Sequence, residues 1–467
     1  MWARLKVRYC QLKNRSKLRT LERRQLKDQL RYLEQRNEQL RAQCEAYRIQ
    51  LEPRTIFAHH YPTQMICLAV FIVLHGGSLR CAAATVSFYA ELMGWKDRFN
   101  QPCASTIRNW VCRSGLHAFR YTKNLSGDYV AILDESIQIG KEKLILMLGV
   151  PIKEGQSYCK PLSSQDVVVL GMEVQTSWTG EAIAQFINRR LAQYSQLRIV
   201  YLLSDKGTAI QAAVKQLNAK WVSDCSHVMM NAVKKLFEHD QALSEFSSQV
   251  GQLRRRLILS DFTILLPATL RDKDRFLRLF TLVEWANRMD RWWPKLNPQA
   301  KAHLLFYRKA WPLLRRLRQV HHLIIQSSAI LKTAGLSQAS YQRWCDSVLD
   351  FEQSTKRVTT QAKAFIKIID DYFNAHAWLY EEQNQLLCCS DIIESTFGRY
   401  KNKGGMKVIS ADVLSIALYN QPLSIEFIEQ AMSNVSCPDV EAWQQTYVCH
   451  NRYGLIQRMK RELKSVG

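Results

Sequence analysis

The segment from Tyr129 to Ser226 constrains the fold most, because its apolar residues form short runs of the buried-strand type. Three runs follow one another directly, which predicts a meander, and two later runs are separated by helical patterns, which favours parallel pairing. The sequence thus predicts an α/β core of order β-β-β-α-β-α-β. The predicted elements are strands Tyr129 to Asp134, Lys143 to Val150 and Asp166 to Val174, helix Gly180 to Tyr194, strand Arg198 to Ser204, helix Thr208 to Leu217 and strand Trp221 to Ser223.

Two aspartates follow from this strand pattern as candidate metal ligands. Asp134 is predicted to end the first strand and Asp205 follows the fourth, so pairing of these strands would place both carboxylates at one edge. Hard divalent ions such as Mg²⁺ prefer oxygen ligands of this kind. Glu394, on a predicted helix that ends near Lys401, is the candidate third acid, with the lysine available for a phosphate. Taken singly, an aspartate at a strand end is more often a turn former or helix cap.

Residues 229–386 show no clear strand pattern and predict an all-α insertion. Between Gly251 and Val320 there are 16 basic and 5 acidic residues, interleaved with aromatic residues such as Trp285, Trp292 and Trp293. Basic and aromatic side chains together are typical of surfaces that bind nucleic acid strands. An aromatic core beneath a solvated basic face explains the same tryptophans equally well.

The N-terminal 54 residues predict a basic coiled coil. Apolar positions step by four and three from Leu26 to Leu51, with Asn37 at a core position, which favours a two-stranded dimer. Arg36 and Arg41 would repel in a parallel pair, so antiparallel or intramolecular packing stays open, as does a lone amphipathic helix. The segment from Arg4 to Arg54 has 15 basic and 6 acidic residues, a surplus available for phosphates or for a solvated face.

Residues 55–120 have the rhythm of a helix-turn-helix domain. Its last predicted helix ends at Gly115 and is capped by Ser105 or Thr106. Arg and Asn side chains read guanine and adenine edges in the major groove. The alternative for this region is a small helical bundle with an ordinary polar face. In the helix-turn-helix interpretation, three such residues are predicted to point outward from the last helix. They are Arg108, Asn109 and Arg113.

Composition indicates the class of partner. The 467 residues suffice for about three domains of roughly 150 residues. With 65 Lys and Arg against 41 Asp and Glu, the formal net charge of +24 favours a polyanionic partner, and nucleic acid is the first candidate. The thirteen cysteines form no C-x-x-C pair, which fits reduced thiols. No apolar run approaches the roughly 20 residues of a membrane span, so no membrane insertion or export is expected.

These motifs resemble the DDE transposases of the retroviral-integrase, ribonuclease-H-like superfamily. The resemblance rests on Leu133-Asp134-Glu135-Ser136, Leu203-Ser204-Asp205-Lys206-Gly207 and Asp391-Ile-Ile-Glu394 with Lys401 seven residues on. Asp224-Cys-Ser-His227 looks like the C/D-x-x-H element of Mutator-like and hAT-like transposases, which precedes a helical insertion. A coiled coil and a helix-turn-helix are common companions in bacterial insertion-sequence transposases.

The resemblance implies a ribonuclease-H-like fold in which Asp134, Asp205 and Glu394 bind two Mg²⁺ or Mn²⁺ ions. Lys401 would contact the transposon end, and His227 would be a structural or phosphate-contacting residue. Glu135 and Asp391 are rival carboxylates. A core pair of His227 with Cys225 is the alternative for the histidine, and a zinc site is disfavoured because two further ligands at suitable spacing are missing.

The expected function is that of a DNA transposase that binds terminal inverted repeats, cleaves transposon ends and joins the 3′-hydroxyl to target DNA. The expected partners are double-stranded DNA and a second copy or higher oligomer, in a bacterial, nucleoid-associated cytoplasmic setting. A domesticated or inactive DNA-binding regulator is the main alternative, and a structure-selective nuclease is another. The predicted domains are a coiled coil (1–54), a helix-turn-helix (55–120), the first segment of the catalytic core (121–228), an all-α insertion (229–386), the second segment of the core with the third acid (387–410) and a helical tail (411–467).

Overall fold

The computed structural model describes residues 2–56, 59–121, 125–139, 142–152, 161–268, 275–383, 385–402 and 409–449, with positions 456 and 459. Within the helices and strands, the side chains at 3, 16, 18, 22, 46–51, 136–139, 275–277 and 381–383 are outside the description. Residues 450–455, 457–458 and 460–467 of the predicted tail, the Ser136 side chain of the first motif and the Leu51 side chain of the heptad pattern therefore lie outside the described residues.

The described chain is a mixed α/β protein with one five-stranded sheet. The helices preceding the sheet are α1 Trp2–Leu51, α2 Thr63–Leu74, α3 Leu79–Leu92 and α4 Ala104–Arg120. The core elements are β1 Gly127–Ile139, β2 Glu142–Pro151, β3 Val168–Gln175, α5 Gly180–Leu191, β4 Leu197–Ser204, α6 Thr208–Leu217, β5 Trp221–Ser223 and α7 Cys225–Phe237. The later helices are α8 Gln241–Leu257, α9 Arg275–Trp292, α10 Pro298–His303, α11 Leu305–Lys309, α12 Trp311–Ala334, α13 Gln338–Ser354, α14 Thr360–Ala375, α15 Ala377–Gln383, α16 Asp391–Lys401, α17 Ile425–Asn434 and α18 Cys437–Tyr447.

The predicted order of strands and helices in the core is confirmed. The strands lie side by side in the order β3-β2-β1-β4-β5. The first three form an antiparallel meander, and β4 and β5 run parallel to β1. This arrangement follows from the connections, because a helical crossover returns the chain to the same end of the sheet.

Helices cover both faces of the sheet, so its strands are apolar on both sides. Ala131 and Leu133 of β1 pack on one face with α5 and α6. Val130 and Ile132 pack on the other face into a large core shared with the remaining helices. Because successive side chains of a strand alternate, Asp134 continues the second series and lies on the same side as α7 and α16.

The described part of residues 229–386 is helical, as predicted. Trp285 is fully buried, which confirms the aromatic-core interpretation for this residue. Trp311 is about half exposed, and the Arg308 guanidinium lies 5.6 Å from its ring centroid. Trp292 and Trp293 are partly buried.

Helix α4 differs from the prediction in its end, its cap and its exposed face. It continues to Arg120 because the residues after Gly115 are buried against α17, α18 and the 3-10 segment Ala411–Leu418. Its N-cap residue is Cys103 rather than Ser105 or Thr106, and the Cys103 side chain caps no backbone N–H group. The prediction that the helix ends at Gly115 is therefore wrong.

Two of the three α4 residues predicted to face outward are instead bound inside the chain. Arg108 Nε donates to Asp412 Oδ1 at 2.8 Å, and Arg113 donates to the carbonyl oxygens of Val435 and Met432. The sequence places their partners about 300 residues away, beyond the reach of a helical-face argument. Asn109 is exposed, as predicted.

A glycine at position 115 permits the close contact of α4 with the C-terminal region of the chain. A Cβ atom there would lie 2.4 Å from the Leu414 carbonyl oxygen, whereas one at Gly251 of α8 would meet nothing within 4 Å. We expect Gly115→Ala to lower the free energy of unfolding by about 1–3 kcal/mol, because backbone must move. Gly251→Ala should leave it equal or raise it by about 0.5–1 kcal/mol through helix propensity. Equal effects of the two variants in urea denaturation would contradict this packing.

Helix α1 extends from the body with its apolar residues uncovered. Leu26, Leu30, Leu33 and Leu40 keep between 45% and 64% of their surface exposed in the single chain. The predicted end of the helix before Pro53 is confirmed, since α1 ends at Leu51. Among the described residues, no helix combines the length and the apolar character that crossing a bilayer requires.

Candidate active site

Asp134 and Asp205 lie beside each other at the point where β1 and β4 stop pairing. The parallel register brings Leu133 opposite Ser204, and the two aspartates are the next residues of the two strands. The prediction that Asp134 ends its strand is wrong: β1 continues to Ile139, paired only with β2, after an irregularity that follows Asp134. The two carboxylates still lie side by side as predicted, because this depends only on the parallel pairing of β1 with β4.

The Asp134 carboxyl is largely withdrawn from water. Burial, then the negative charge of Asp205 and, least of all, that of Glu394 raise its pKa to about 7. The positive charge of His227 opposes this effect. Three acids and a histidine thus act on one another electrostatically at a single place.

Asp205 is held by the turn that leads into α6. Its Oδ1 accepts a hydrogen bond from the backbone N–H of Gly207 at 3.0 Å. Gly207 is also the N-cap residue of α6, so the turn that fixes Asp205 is the same one that starts the helix. The carboxylate is positioned by backbone rather than by another mobile side chain.

Glu394 comes from the first turn of α16, which packs on β1. His227 Nε2 lies 3.3 Å from Glu394 Oε1, and the glutamate side chain remains 56% exposed. The hydrogen bond to Glu394 raises the pKa of His227 to about 9 against the effect of burial. With this pKa His227 is charged at neutral pH, and its ring contacts one oxygen of Glu394.

Asp224 joins the two sequence-distant halves of the site. It is completely buried, and its Oδ1 accepts the His227 N–H at 2.7 Å while its Oδ2 accepts the Ser390 N–H at 2.6 Å. His227 lies in the first turn of α7, and Ser390 directly precedes α16. The Asp224 carboxylate therefore caps α7 and also binds the residue that leads into α16. The two helices therefore form one local unit although they are far apart along the chain.

We expect Asp224→Ala to lower the free energy of unfolding by about 2–5 kcal/mol, because two buried N–H groups lose their acceptor. Ser424 caps α17 through a single bond to Phe427 N–H, so Ser424→Ala is a matched control expected to cost about 1 kcal/mol. Urea denaturation measures both. Equal losses would show that Asp224 acts as an ordinary cap and does not join the two halves.

The rival carboxylates have different surroundings. Asp391 forms an ion pair with Lys332 Nζ of α12 at 2.5 Å and accepts a hydrogen bond from Ser226 Oγ. Burial raises the pKa of Asp391, but the hydrogen bond and charge of Lys332, together with hydrogen bonds from Cys389 and Ser226, lower it overall. Glu135 has an Oε2 atom that is buried with no hydrogen-bond partner among the described residues, and burial raises its pKa.

Lys401 is exposed in the last turn of α16. Seven residues of helix place it about 10 Å along the axis from Glu394, on a similar face. Ser105 and Asn109, in the N-terminal half of α4, are also exposed, whereas Thr106 is partly buried.

The donor set fits hard divalent cations. Carboxylate oxygens are their preferred ligands, and a cation would offset the repulsion that raises the pKa of Asp134. Within the described ranges, no three His, Cys, Asp or Glu side chains already stand at ligand distance of a common point. Asp134 and Asp205 form the fixed portion of the donor set, and Glu394 is the exposed member tied to His227.

Sequence reasoning missed several contacts that join distant segments of the chain around this site. Lys332 of α12 holds Asp391, and Tyr372 of α14 donates to the Ser223 carbonyl at 2.7 Å. Tyr201 of β4 donates to the Leu387 carbonyl at 3.2 Å. No local pattern marks these residues, since each partner is far away along the chain.

Comparison of the sequence with protein-family models gives no match, and comparison with curated proteins likewise gives none.

Proposed function

We propose that the protein is a DDE-type DNA transposase with a ribonuclease-H-like core. The observation that carries this proposal is the convergence of Asp134, Asp205 and Glu394, from two parallel strands and a helix beyond the long insertion, around the charged His227. The strand order β3-β2-β1-β4-β5 with one antiparallel meander supports the fold assignment. Any one of these acids alone would be unremarkable.

Asp134, Asp205 and Glu394 would hold two Mg²⁺ or Mn²⁺ ions. Bound there, the ions would supply activation of the attacking oxygen and stabilisation of the leaving oxygen in phosphoryl transfer. Asp134 and Asp205 would contribute ligands whose backbone is held in place by the sheet. His227 orients the Glu394 carboxylate and adds a positive charge where phosphate negative charge must be accommodated. Lys401 would bind a neighbouring phosphate of the transposon end.

The charge distribution supports DNA as the substrate. The chain carries a formal net charge of +24, and α1 and the insertion each hold a surplus of basic residues. Some of these are neutralised within the fold, because Arg316 pairs with Asp240 and Arg318 with Asp290. Arg255, Arg256 and Arg315 are exposed and remain for phosphate contacts.

Recognition of the terminal inverted repeats by the helical region 55–120 rests on fewer residues than the sequence predicts. Arg108 and Arg113 bind other parts of the protein itself, so replacing them with alanine should lower the stability of the fold more than it changes the preferred DNA sequence. Ser105 and Asn109 remain exposed on α4 and are the proposed base-contacting residues. Hydroxyl and amide side chains both bond to base edges.

The proposed assembly is a homodimer or a higher oligomer on DNA, formed through α1. Replacing Leu26, Leu33 and Leu40 together with serine should raise the dimer dissociation constant at least about tenfold, since each core leucine buries apolar surface. Tyr32 is 66% exposed on the same helix but off the seam, so Tyr32→Ser is the control. Sedimentation measures both variants. A wild type that stays monomeric with and without DNA would contradict the assembly.

A DNA-binding regulator that retains the fold without chemistry is the second candidate function. It is favoured if purified protein binds a specific site in Mg²⁺ and never nicks it. A structure-selective nuclease is favoured if branched DNA is cut in preference to repeat ends. The proposed setting is the nucleoid of a bacterial cytoplasm. Cleavage and strand-transfer assays on DNA with the ends of the element that encodes the chain distinguish these functions.

A further inference from the structure

A cavity of about 320 Å³ lies away from the acids, between the ends of α4, α5 and α18. Its walls include Arg120 of α4, Arg190 and Gln193 at the end of α5, and Trp443 and Tyr447 of α18. The volume is at the lower end of the roughly 300–1,000 Å³ of small-molecule sites. None of the residues around the acids lines it.

Arg190 is the central group of this cavity. Only 2% of its surface is exposed, and its guanidinium lies 4.3 Å from the ring centroid of Tyr447 and 5.4 Å from that of Phe119. Within the described ranges its one hydrogen bond runs from Nη2 to the Met172 carbonyl, at 3.1 Å. A guanidinium has five N–H donors, so most of them find no acceptor among the residues described.

The negative charge of Glu173 acts on Arg190, but no hydrogen bond joins the two side chains among the described residues. Glu173 binds Arg189 Nη2 at 2.9 Å and accepts a hydrogen bond from Gln175. Burying a cation is costly, and the rings, the carbonyl and the charge of Glu173 offset only some of this cost. Burial accordingly lowers the pKa of Arg190, an effect that a bound anion would reverse.

Trp443 supplies a second unused donor. Only 1% of its surface is exposed, and its Nε1 has no acceptor among the described residues. The cavity lining contains no Asp or Glu within the described ranges. Two arginines, an amide and aromatic rings therefore line this space, and the unpaired Trp443 N–H is buried in its wall.

We propose that this cavity binds a phosphate group, carried either by a free nucleotide or by a DNA strand. Arginine matches phosphate through paired N–H donors, and tyrosine and phenylalanine rings beside it accommodate an attached base or sugar. The described lining holds no carboxylate of the chain itself, so the site selects anions. The proposal does not depend on the cleavage activity, because it rests on residues outside the acid site.

The test is isothermal calorimetry on the full chain without divalent metal, at constant ionic strength in chloride. The probes are inorganic phosphate, thymidine 5′-monophosphate and a 5′-phosphorylated single-stranded tetranucleotide. Arg190→Lys keeps the charge but loses the paired donors, and Trp443→Phe keeps a ring but loses the N–H. Both should weaken binding about tenfold, as loss of one charge-assisted hydrogen bond implies.

The control is Trp178→Phe, which also removes a buried indole N–H, one bonded to the Lys143 carbonyl outside the cavity. It should leave phosphate affinity unchanged. Tighter binding of the mononucleotide identifies a nucleotide site, and tighter binding of the tetranucleotide identifies a strand contact. Two results would overturn the proposal. The first is that none of the three probes shows saturable binding up to 10 mM, about 100 times a dissociation constant of 0.1 mM. The second is that wild type, Arg190→Lys and Trp443→Phe bind phosphate with equal affinity.

Discussion

Replacing Glu394 with glutamine is expected to reduce Mg²⁺-dependent cleavage of the DNA ends by at least about 10³-fold. Metal ions in such sites lower the activation barrier by several kcal/mol, and each 1.36 kcal/mol is a factor of ten in rate. Glutamine keeps the size of the side chain and an acceptor for His227, which lies 3.3 Å from Glu394 Oε1. The fold and the binding of DNA ends should therefore survive the change. Asp134→Asn and Asp205→Asn should have the same effect.

Glu181→Gln is the matched control, because Glu181 is an exposed glutamate in the first turn of α5, as Glu394 is in the first turn of α16. It should cleave at the wild-type rate. Gel-shift binding and cleavage are measured on the same DNA. Loss of binding in all three acid variants would indicate misfolding, and full cleavage by Glu394→Gln would assign the third acid to another residue, with Glu135 the next candidate.

The second large effect concerns stability in the absence of metal. Asp134 has a pKa of about 7 in the folded chain, against 3.8 for the ordinary carboxyl. Between these values the folded state binds more protons than the unfolded state, so stability falls as pH rises from 4 to 7 and stays low above. Asp134→Asn removes this loss. At pH 8 without divalent ions the variant should be more stable than wild type by about 1–4 kcal/mol.

At pH 4 the two proteins should be equally stable, since Asp134 is then protonated when folded. Asp97 is an exposed aspartate, and Asp97→Asn should follow wild type at both pH values. Adding Mg²⁺ at pH 8 should stabilise wild type more than Asp134→Asn, because only the carboxylate binds the ion strongly. Thermal melts at the two pH values, with and without Mg²⁺, measure this. An Asp134→Asn variant that is less stable than wild type at pH 8 without metal would contradict the electrostatic account.

The sequence predicted the sheet well because strand runs and helix patterns are local signals. The neighbourhood of Asp134 and Asp205 followed from one further rule, that strands joined through helices run parallel. The end of β1 was placed too early, since pairing with β2 beyond Asp134 leaves no mark on the apolar pattern. Strand pairing is a property of two segments, and local periodicity reports on one.

The orientation of Arg108 and Arg113 was beyond local reasoning for a similar physical reason. A polar residue on an amphipathic helix is predicted to face solvent unless its binding partner in the chain is known. The partners of Arg108 and Arg113 lie between residues 410 and 435. The same holds for Lys332, whose ion pair with Asp391 connects the insertion to α16. Buried polar contacts between distant segments require the fold before they are visible.

The most direct test of the three-acid site is the wild-type protein with Mg²⁺ and DNA carrying the ends of the element that encodes the chain. The account predicts nicking at the transposon ends, followed by joining of the freed 3′-hydroxyl to target DNA, with both products absent in Glu394→Gln. Specific binding of those ends without cleavage in Mg²⁺ or Mn²⁺ would contradict it and would establish a DNA-binding regulator built on the same fold.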